Sequence, residues 1–343
     1  MKVKLEPNYP TIAPIATAEK RPFWSVIIPT YNRITYLEQT LKSVLAAGIS
    51  AEEMQIEVVD NCSDRVDIKS VVRDIAGDRI SVYRQPQTVS MSENWTTCIR
   101  RARGFWVHIL HDDDLVLPDF YSTYRQIIET TNCLMVAGQA ILIDEEENWQ
   151  RISCWLPARN HLLDNPLKAI ASQSIVMAAS VVVSRDTYEK IGGFHSQLVH
   201  APDWEMWTRI AAMGKVGWAK KPYCLYRIHA GSETNLAALT GTNILDLLAA
   251  SRLMARHFED RKVRQEVQQS TLYYLGNAAK EKSQILAYTR KYKAALLYGR
   301  LAIALRPLKL ESYITFLLVL KTIFAGLLKS LLQVPSRHES LTN

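Results

Sequence analysis

This chain of 343 residues predicts an α/β fold with a mostly parallel, doubly wound sheet, followed by an all-helical C-terminal extension. Three observations carry the prediction. From Trp24 to about Leu110, short β-branched runs alternate with amphipathic stretches, the pattern of strands joined by crossover helices. Polar residues gather at the carboxyl ends of those runs, where open α/β sheets bind ligands: Thr30-Tyr31-Asn32-Arg33, Asp60-Asn61, Arg84 and His111-Asp112-Asp113-Asp114. From about Leu236 the pattern is helical throughout. We expect an arm at residues 1–22, an α/β domain at 23–235, a helical region at 236–335 and a tail at 336–343.

The elements follow in order. Trp24–Pro29 is a buried first strand ending at a proline, and Ile34, Leu37, Leu41, Val44 and Leu45 share one face of the helix that Gly48 stops. Strands at 55–60, 79–83 and 105–110 alternate with helices at 66–76 and 92–103. A helix to about Thr130 precedes strands at 134–137 and 139–143, an acidic turn at 144–147 and a strand at 178–183. Gly192-Gly193 ends a short helix, and Pro202-Asp203-Trp204-Glu205 opens another with the proline and acids that helix starts prefer. Strands at 216–219 and 223–228 close the unit. Helices are then expected at 243–258, 263–289, 292–305 and 308–332, the middle two facing each other as a hairpin through small residues.

Charge is divided unevenly. Residues 237–343 hold 16 Lys+Arg against 7 Asp+Glu, leaving 25 against 27 before them. Five scattered cysteines without a C-x-x-C pair argue against a disulfide framework or a zinc site and for a reducing compartment. The N-terminus, broken by four prolines, lacks a signal peptide's apolar core and reads as an arm laid on the first domain or left in solvent. The last helix is the most apolar stretch, yet Lys321 and Lys329 interrupt it and weigh against a bilayer span. Thr315, Thr322, Lys329 and Ser330, with Gly326, form one flank opposite a broad Leu/Ile/Phe face, which suits a helix lying in a membrane surface. Docking on its own protein or on a second subunit, as a homo-oligomer, is the alternative. The positive charge beside an apolar helix, without an aromatic-interleaved groove, argues against nucleic-acid binding.

Three ionised carboxylates in a row at a buried strand end repel one another and are costly to desolvate unless a cation neutralises them. Mg²⁺ or Mn²⁺, which prefers oxygen ligands and leaves positions open for substrate phosphates, suits Asp112-Asp113-Asp114. An acidic cap on the helix beginning near Pro118 explains the same residues without a ligand.

Taken together and in order, SVIIPTYNR, EVVDNCSD, NWTTCIRRARGFWVHILHDDDLVLPDF, the IGGF turn, DWEMWTRIA and YRIHAGSET, over roughly residues 24–233, resemble the family 2 nucleotide-sugar glycosyltransferases. The resemblance implies a GT-A (Rossmann-like, mostly parallel sheet) catalytic domain. It also implies inverting, Mn²⁺- or Mg²⁺-dependent transfer from a nucleotide-sugar donor, most often a UDP-sugar, to a saccharide or lipid-linked acceptor in cell-surface polysaccharide or lipopolysaccharide synthesis. By the same resemblance Thr30, Tyr31 and Arg33 belong to the loop that holds the nucleotide, with Tyr31 stacking on the base. Asp60 accepts from the base ring, and Arg84 reaches the base or a phosphate. Asp112 contacts the ribose or donor sugar, Asp114 completes the family's D-x-D, and Asp113 is an equal choice for direct metal ligand. His111 stands where the commonest family pattern has an Asp. Asp203 matches the catalytic base, with Glu205 as the backup, and His229 lies in the loop that closes on the diphosphate as a metal or phosphate ligand. Trp204 and Trp207 are offered as acceptor-stacking rings or core. The enzyme is expected in the cytoplasm, peripheral on the inner face of the cell membrane.

Two further readings compete. A nucleotidyltransferase also uses carboxylate-held metal, but Thr30-Tyr31-Asn32-Arg33 lacks the glycines of a phosphate loop. A catalytically inactive GT-A-fold scaffold at the membrane would have no need of Asp60, the His-Asp-Asp-Asp run, Asp203 and His229.

Overall fold

The computed structural model describes residues 8–16, 20–229, 231–232, 237 and 239–332, with side chains to Gly326 in the last helix. The start of the expected arm and the tail at 336–343 lie outside the described residues. In the first half, β1 (Trp24–Thr30), β2 (Met54–Asp60), β3 (Ser81–Arg84) and β4 (Trp106–Ile109) alternate with α1 (Leu37–Leu45), α2 (Ile68–Ala76) and α3 (Met91–Arg101). Then come β5 (Leu115–Val116), α4 (Phe120–Thr131), β6 (Met135–Ile143), β7 (Trp149–Ile152), β8 (Ala158–Arg159) and β9 (Leu162–Leu163). The α/β unit closes with α5 (Pro166–Ser172), β10 (Val182–Ser184), α6 (Arg185–Ile191), α7 (Pro202–Ala211) and β11 (Val216–Arg227). The helical extension comprises α8 (Thr242–Met254), α9 (Arg261–Tyr288), α10 (Tyr292–Leu305) and α11 (Leu310–Leu332).

One sheet runs in the order β3-β2-β1-β4-β10-β6-β11-β9-β8. β1 is parallel to β2 and β4, β2 to β3, and β6 to β11, whereas β10 is antiparallel to both of its neighbours. The sheet is therefore mixed and mostly parallel. Strand alternation sorts its core onto two covered faces. Ile27, Val59, Val107 and Val183 face a cluster with Ile99, Trp204, Trp207 and Ile210, while Val26, Ile28, Val58 and Val182 face Leu41, Val72, Phe120 and Tyr124.

Two pairs of expected strands are fused, and the strand expected at 178–183 is shortened to β10 because Ala178–Ser180 forms a 3-10 turn. The strands expected at 134–137 and 139–143 are one, because Gly138 continues β6 where a Cβ would come within 2.9 Å of the Tyr124 hydroxyl and 3.0 Å of the Ala219 Cβ. Those expected at 216–219 and 223–228 are likewise one, with its register against β6 shifted between Ala219 and Cys224. Pro222 falls inside that irregularity, where a missing N–H breaks no ladder bond.

The arm is docked where it is described. The Pro10 carbonyl accepts from Gly193 N–H at 2.7 Å, Tyr9 donates to Glu205 Oε1 at 2.9 Å, and Ile12 is buried. In the extension, Ala279, Ala294, Ala295, Tyr298 and Ala302 pack together with Val319 and Ile323 of α11. Among the described residues no helix is long and apolar enough to cross a membrane, and all five cysteines are free.

Candidate active site

Parallel order places the carboxyl ends of β1, β2 and β4 side by side, so their following loops meet. Asn32 takes φ +51°, a left-handed conformation that Asn tolerates better than most residues. It pins two loops together: its N–H donates to Ser63 Oγ at 2.8 Å and its side-chain oxygen accepts from the N–H groups of Asp64 and Arg65 at 3.0 Å. Thr30, just before it, donates to Asp112 Oδ2 at 2.6 Å. Arg33, just after it, reaches Asp113 Oδ2 at 2.5 Å and Asp112 Oδ1 at 3.4 Å. Tyr31 is 47% exposed, its ring open to stacking. Asp60 is buried, accepting from Ser63 N–H at 2.9 Å and from Arg84 at 2.8 Å.

The acidic run turns tightly after β4, with Asp114 N–H donating to the His111 carbonyl at 3.2 Å. Asp114 is fully buried, and its Oδ1 takes the Arg227 backbone N–H at 3.0 Å. His229, two residues beyond, donates through Nε2 to Asp113 Oδ2 at 2.9 Å. His111 stacks on Trp95 with ring centres 4.8 Å apart. His111, Asp113 and Asp114 each offer one ligand atom, all within 4.8 Å of one another. Among the described residues, the buried His111 Nε2 and Asp114 Oδ2 have no hydrogen-bond partner.

The protonation states differ across this run. Burial, then the neighbouring Asp113 charge, pushes Asp112 up to about 7, and the same two causes push Asp114 well above the carboxylate range. Burial also acts against Asp113, but the His229 hydrogen bond and the charges of His111 and Arg33 outweigh it and hold the carboxyl below its ordinary value. Burial lowers His111, with Asp113 pulling the other way, and a neutral imidazole is the form that ligates metals. His108 on β4, pushed down to about 3 by burial, is a core residue bonded to Tyr121 and the Ala179 carbonyl.

Asp203 is the second residue of α7. Its Oδ1 accepts the Trp204 N–H at 2.8 Å, and burial pushes its carboxyl up to about 6. Among the described residues no hydrogen bond joins it to the aspartate run. A column of rings connects the two instead: His111 on Trp95, Trp95 on Phe194 at 5.3 Å, and Phe194 on Trp207 of α7 at 6.3 Å. Glu205 faces elsewhere, fully buried against Arg209 at 3.1 Å and Tyr9, so the proposed backup is a structural ion pair. Trp204 and Trp207 are both core, and Trp204 donates to the Ile170 carbonyl at 2.7 Å.

Arg227 was not singled out from the sequence. It engages all five of its N–H donors: the Asp113, Asp144 and Glu145 carbonyls, Gln39 Oε1 and Glu147 Oε1. The signal was faint, an arginine two residues before His229 with an acidic turn 80 residues earlier. His111 was noted only as a departure from a family pattern, although a histidine beside carboxylates is itself ligand chemistry.

A mixed sheet with carboxylates and histidines converging beyond its strand ends defines a GT-A glycosyltransferase architecture. The structure resembles residues 1–349 of TarS from S. aureus in complex with UDP (TM-score 0.56, 14% identity, covering 93% of this chain and 94% of that one). It also resembles the mannosyltransferase PcManGT from Pyrobaculum calidifontis in complex with GDP-Man and Mn²⁺ (TM-score 0.55, 19% identity, 95% and 91%). Over 108 residues the sequence is 35% identical to the GalNAc(5)-diNAcBac-PP-undecaprenol beta-1,3-glucosyltransferase of Campylobacter jejuni, covering 31% of this chain and 34% of that protein. Residues 25–189 match the family model for glycosyl transferase family 2. Over residues 25–189, most of the α/β domain, the chain is thus similar to glycosyltransferase family 2.

Proposed function

We propose that this glycosyltransferase is inverting and metal-dependent, taking its sugar from a nucleotide-sugar, by preference a UDP-sugar, and passing it to a saccharide or lipid-linked acceptor of cell-surface polysaccharide synthesis. The observation that carries this reading is the group of His111, Asp113 and Asp114 at the crevice. Its buried Asp114 Oδ2 accepts no hydrogen bond and lies 3.7 Å from His111 Nδ1, a donor set that fits Mn²⁺ or Mg²⁺. Such an ion, when bound, neutralises the charge developing on the departing diphosphate. Tyr31 presents its ring to the nucleotide base, and Asp60, whose Oδ1 is taken up by the Ser63 N–H and hydroxyl but whose Oδ2 keeps a lone pair beyond the Arg84 bond, accepts a base N–H. Thr30 and Arg33 orient Asp112 toward the ribose. Arg33, on Asp113, supplies positive charge for the phosphates, and His229, bonded to the same carboxylate, is a metal or phosphate ligand. Asp203 takes the proton of the acceptor hydroxyl, and its raised carboxyl suits it to do so near neutral pH.

We also propose a peripheral location on the cytoplasmic face of a membrane, through the outer face of α11 and the basic residues of the extension. The alternative scaffold reading draws on Arg33, whose guanidinium already neutralises Asp113. Release of nucleoside diphosphate from a panel of UDP-, GDP- and dTDP-sugars with Mn²⁺ tests the proposal. The expected outcome is metal-dependent turnover of one donor class. No turnover with any donor, together with nucleotide binding indifferent to metal, would overturn it in favour of the scaffold.

A further inference from the structure

The loop leading into α7 is held from outside the segment that matches the family. Asp246, on the second turn of α8, accepts three backbone N–H groups on one carboxylate oxygen: Val199 at 3.2 Å, His200 at 2.8 Å and Ala201 at 2.9 Å. These residues immediately precede Pro202-Asp203. Thr242, at the start of α8, lies 3.3 Å from His200 Nε2, a second tie from the same helix. The helical region also grips the other side of the α7 environment, where Tyr274 of α9 donates to the Ser174 carbonyl at 2.8 Å and Thr271 to the Ala171 carbonyl at 3.2 Å. Trp204, next to Asp203, donates into that same segment at Ile170.

Charge-assisted bonds from successive amides are short and directional, so they fix a loop backbone more firmly than packing does. We propose that Asp246 is a positioning residue for Asp203, fixing the backbone from which the base projects, so that the helical region is a working part of the transfer site. This rests on reading Asp203 as the base. The titratable groups that act on Asp203 are Asp246 from α8 and Tyr274 from α9. The Asp246 charge contributes to raising Asp203, after burial.

The test compares full-length Asp246→Ala, Asp246→Asn and Asp203→Asn with the wild type, using turnover of the donor found active, its pH profile, and the Kd for UDP alone. Displacing a reacting group by about 1 Å costs on the order of 10²-fold, so Asp246→Ala should lower kcat by about 10- to 100-fold with UDP affinity within a fewfold. Asp246→Asn keeps an acceptor oxygen and loses the charge. It should recover part of kcat while moving the acid limb of kcat/KM to lower pH, because the negative charge that raises Asp203 is gone. If Asp246→Ala does not fold, the Asn variant decides through its pH limb. Wild-type kcat with an unmoved limb in the Asn variant, or parallel loss of UDP binding and kcat, would overturn the inference while an inactive Asp203→Asn leaves the base reading standing. An active Asp203→Asn overturns the base reading, and the positioning role with it.

Discussion

Five donors on one side chain make Arg227 the hub between α1, the aspartate turn and the 144–147 turn. A lysine offers three donors from a single point and cannot reproduce that fork. Arg227 is buried while its partners at Gln39, Asp144, Glu145 and Glu147 reach solvent, so the loss falls on the buried cation; at about 1–3 kcal/mol for a buried polar group left short of partners, Arg227→Lys should destabilise the fold by on the order of 2 kcal/mol, read from the denaturant midpoint at constant m-value. A shift below about 0.5 kcal/mol, the size of an ordinary surface change, would show that the network is dispensable. Asp203 carries a different prediction. Its carboxyl is raised to about 6 by burial, so the base form prevails above that pH and is lost as pH falls through it. The kcat/KM profile should therefore bend downward near pH 6 with unit slope. Asp203→Asn should cost at least about 10²-fold in turnover and leave UDP affinity within a fewfold. Equal loss of both would mean that the residue is structural. The sequence ranked Asp203 first with Glu205 as its backup, and packing sets Glu205 aside, because a carboxylate already bonded to Arg209 and Tyr9 has no direction left for a substrate.

At the scale of elements, α11 is amphipathic in a way its residue types conceal. Ser312, Thr315, Val319 and Ile323 turn inward, while Leu310, Leu317 and Phe324 stand 64–72% exposed on the outside. The polar flank read from the sequence thus partly faces protein, and the apolar face is open. Truncation near Leu308 would strip Val319 and Ile323 from the hairpin core, so point changes are the cleaner probe. Leu317→Glu with Phe324→Glu should reduce sedimentation with vesicles containing anionic lipid by about tenfold, the effect of roughly 1.4 kcal/mol, and leave the melting temperature unchanged. Retained sedimentation would remove α11 as the membrane contact, and a change in oligomeric state instead would point to a second copy of the chain. The fused strands β6 and β11 belong to this scale too. A glycine and a proline read locally as punctuation, and each was overridden by a neighbour: the Tyr124 hydroxyl against Gly138, and the register shift that absorbs Pro222.

For the whole molecule, metal and stability are linked. A ligand that binds only the folded state stabilises it by about 2.7 kcal/mol at a hundredfold excess over its Kd. Mn²⁺ should therefore raise the melting temperature by several degrees, chelator should reverse this, and His111→Ala and Asp113→Ala should each weaken the response. An unchanged melt with Mn²⁺, alone and with UDP, would leave the Arg33–Asp113 ion pair as the resting arrangement and count against the metal.

The alternation of β1 to β4 with their helices, the helical extension and the strand-end polar groups were legible in the sequence, because periodicity and turn chemistry are local properties of the chain, whereas the short elements β5, β7 to β9 and α5 left no periodic pattern to read. The reversal of β10, the grip of Asp246 on the loop before α7 and the five-fold engagement of Arg227 were not. Each depends on residues between about 45 and 190 positions apart, and no local pattern encodes which distant carbonyl or amide will lie within hydrogen-bonding reach. The sequence by itself determined which chemical groups this enzyme possesses. Folding decided which of them remain unsatisfied and therefore available to a ligand, since that depends on what else is buried beside them.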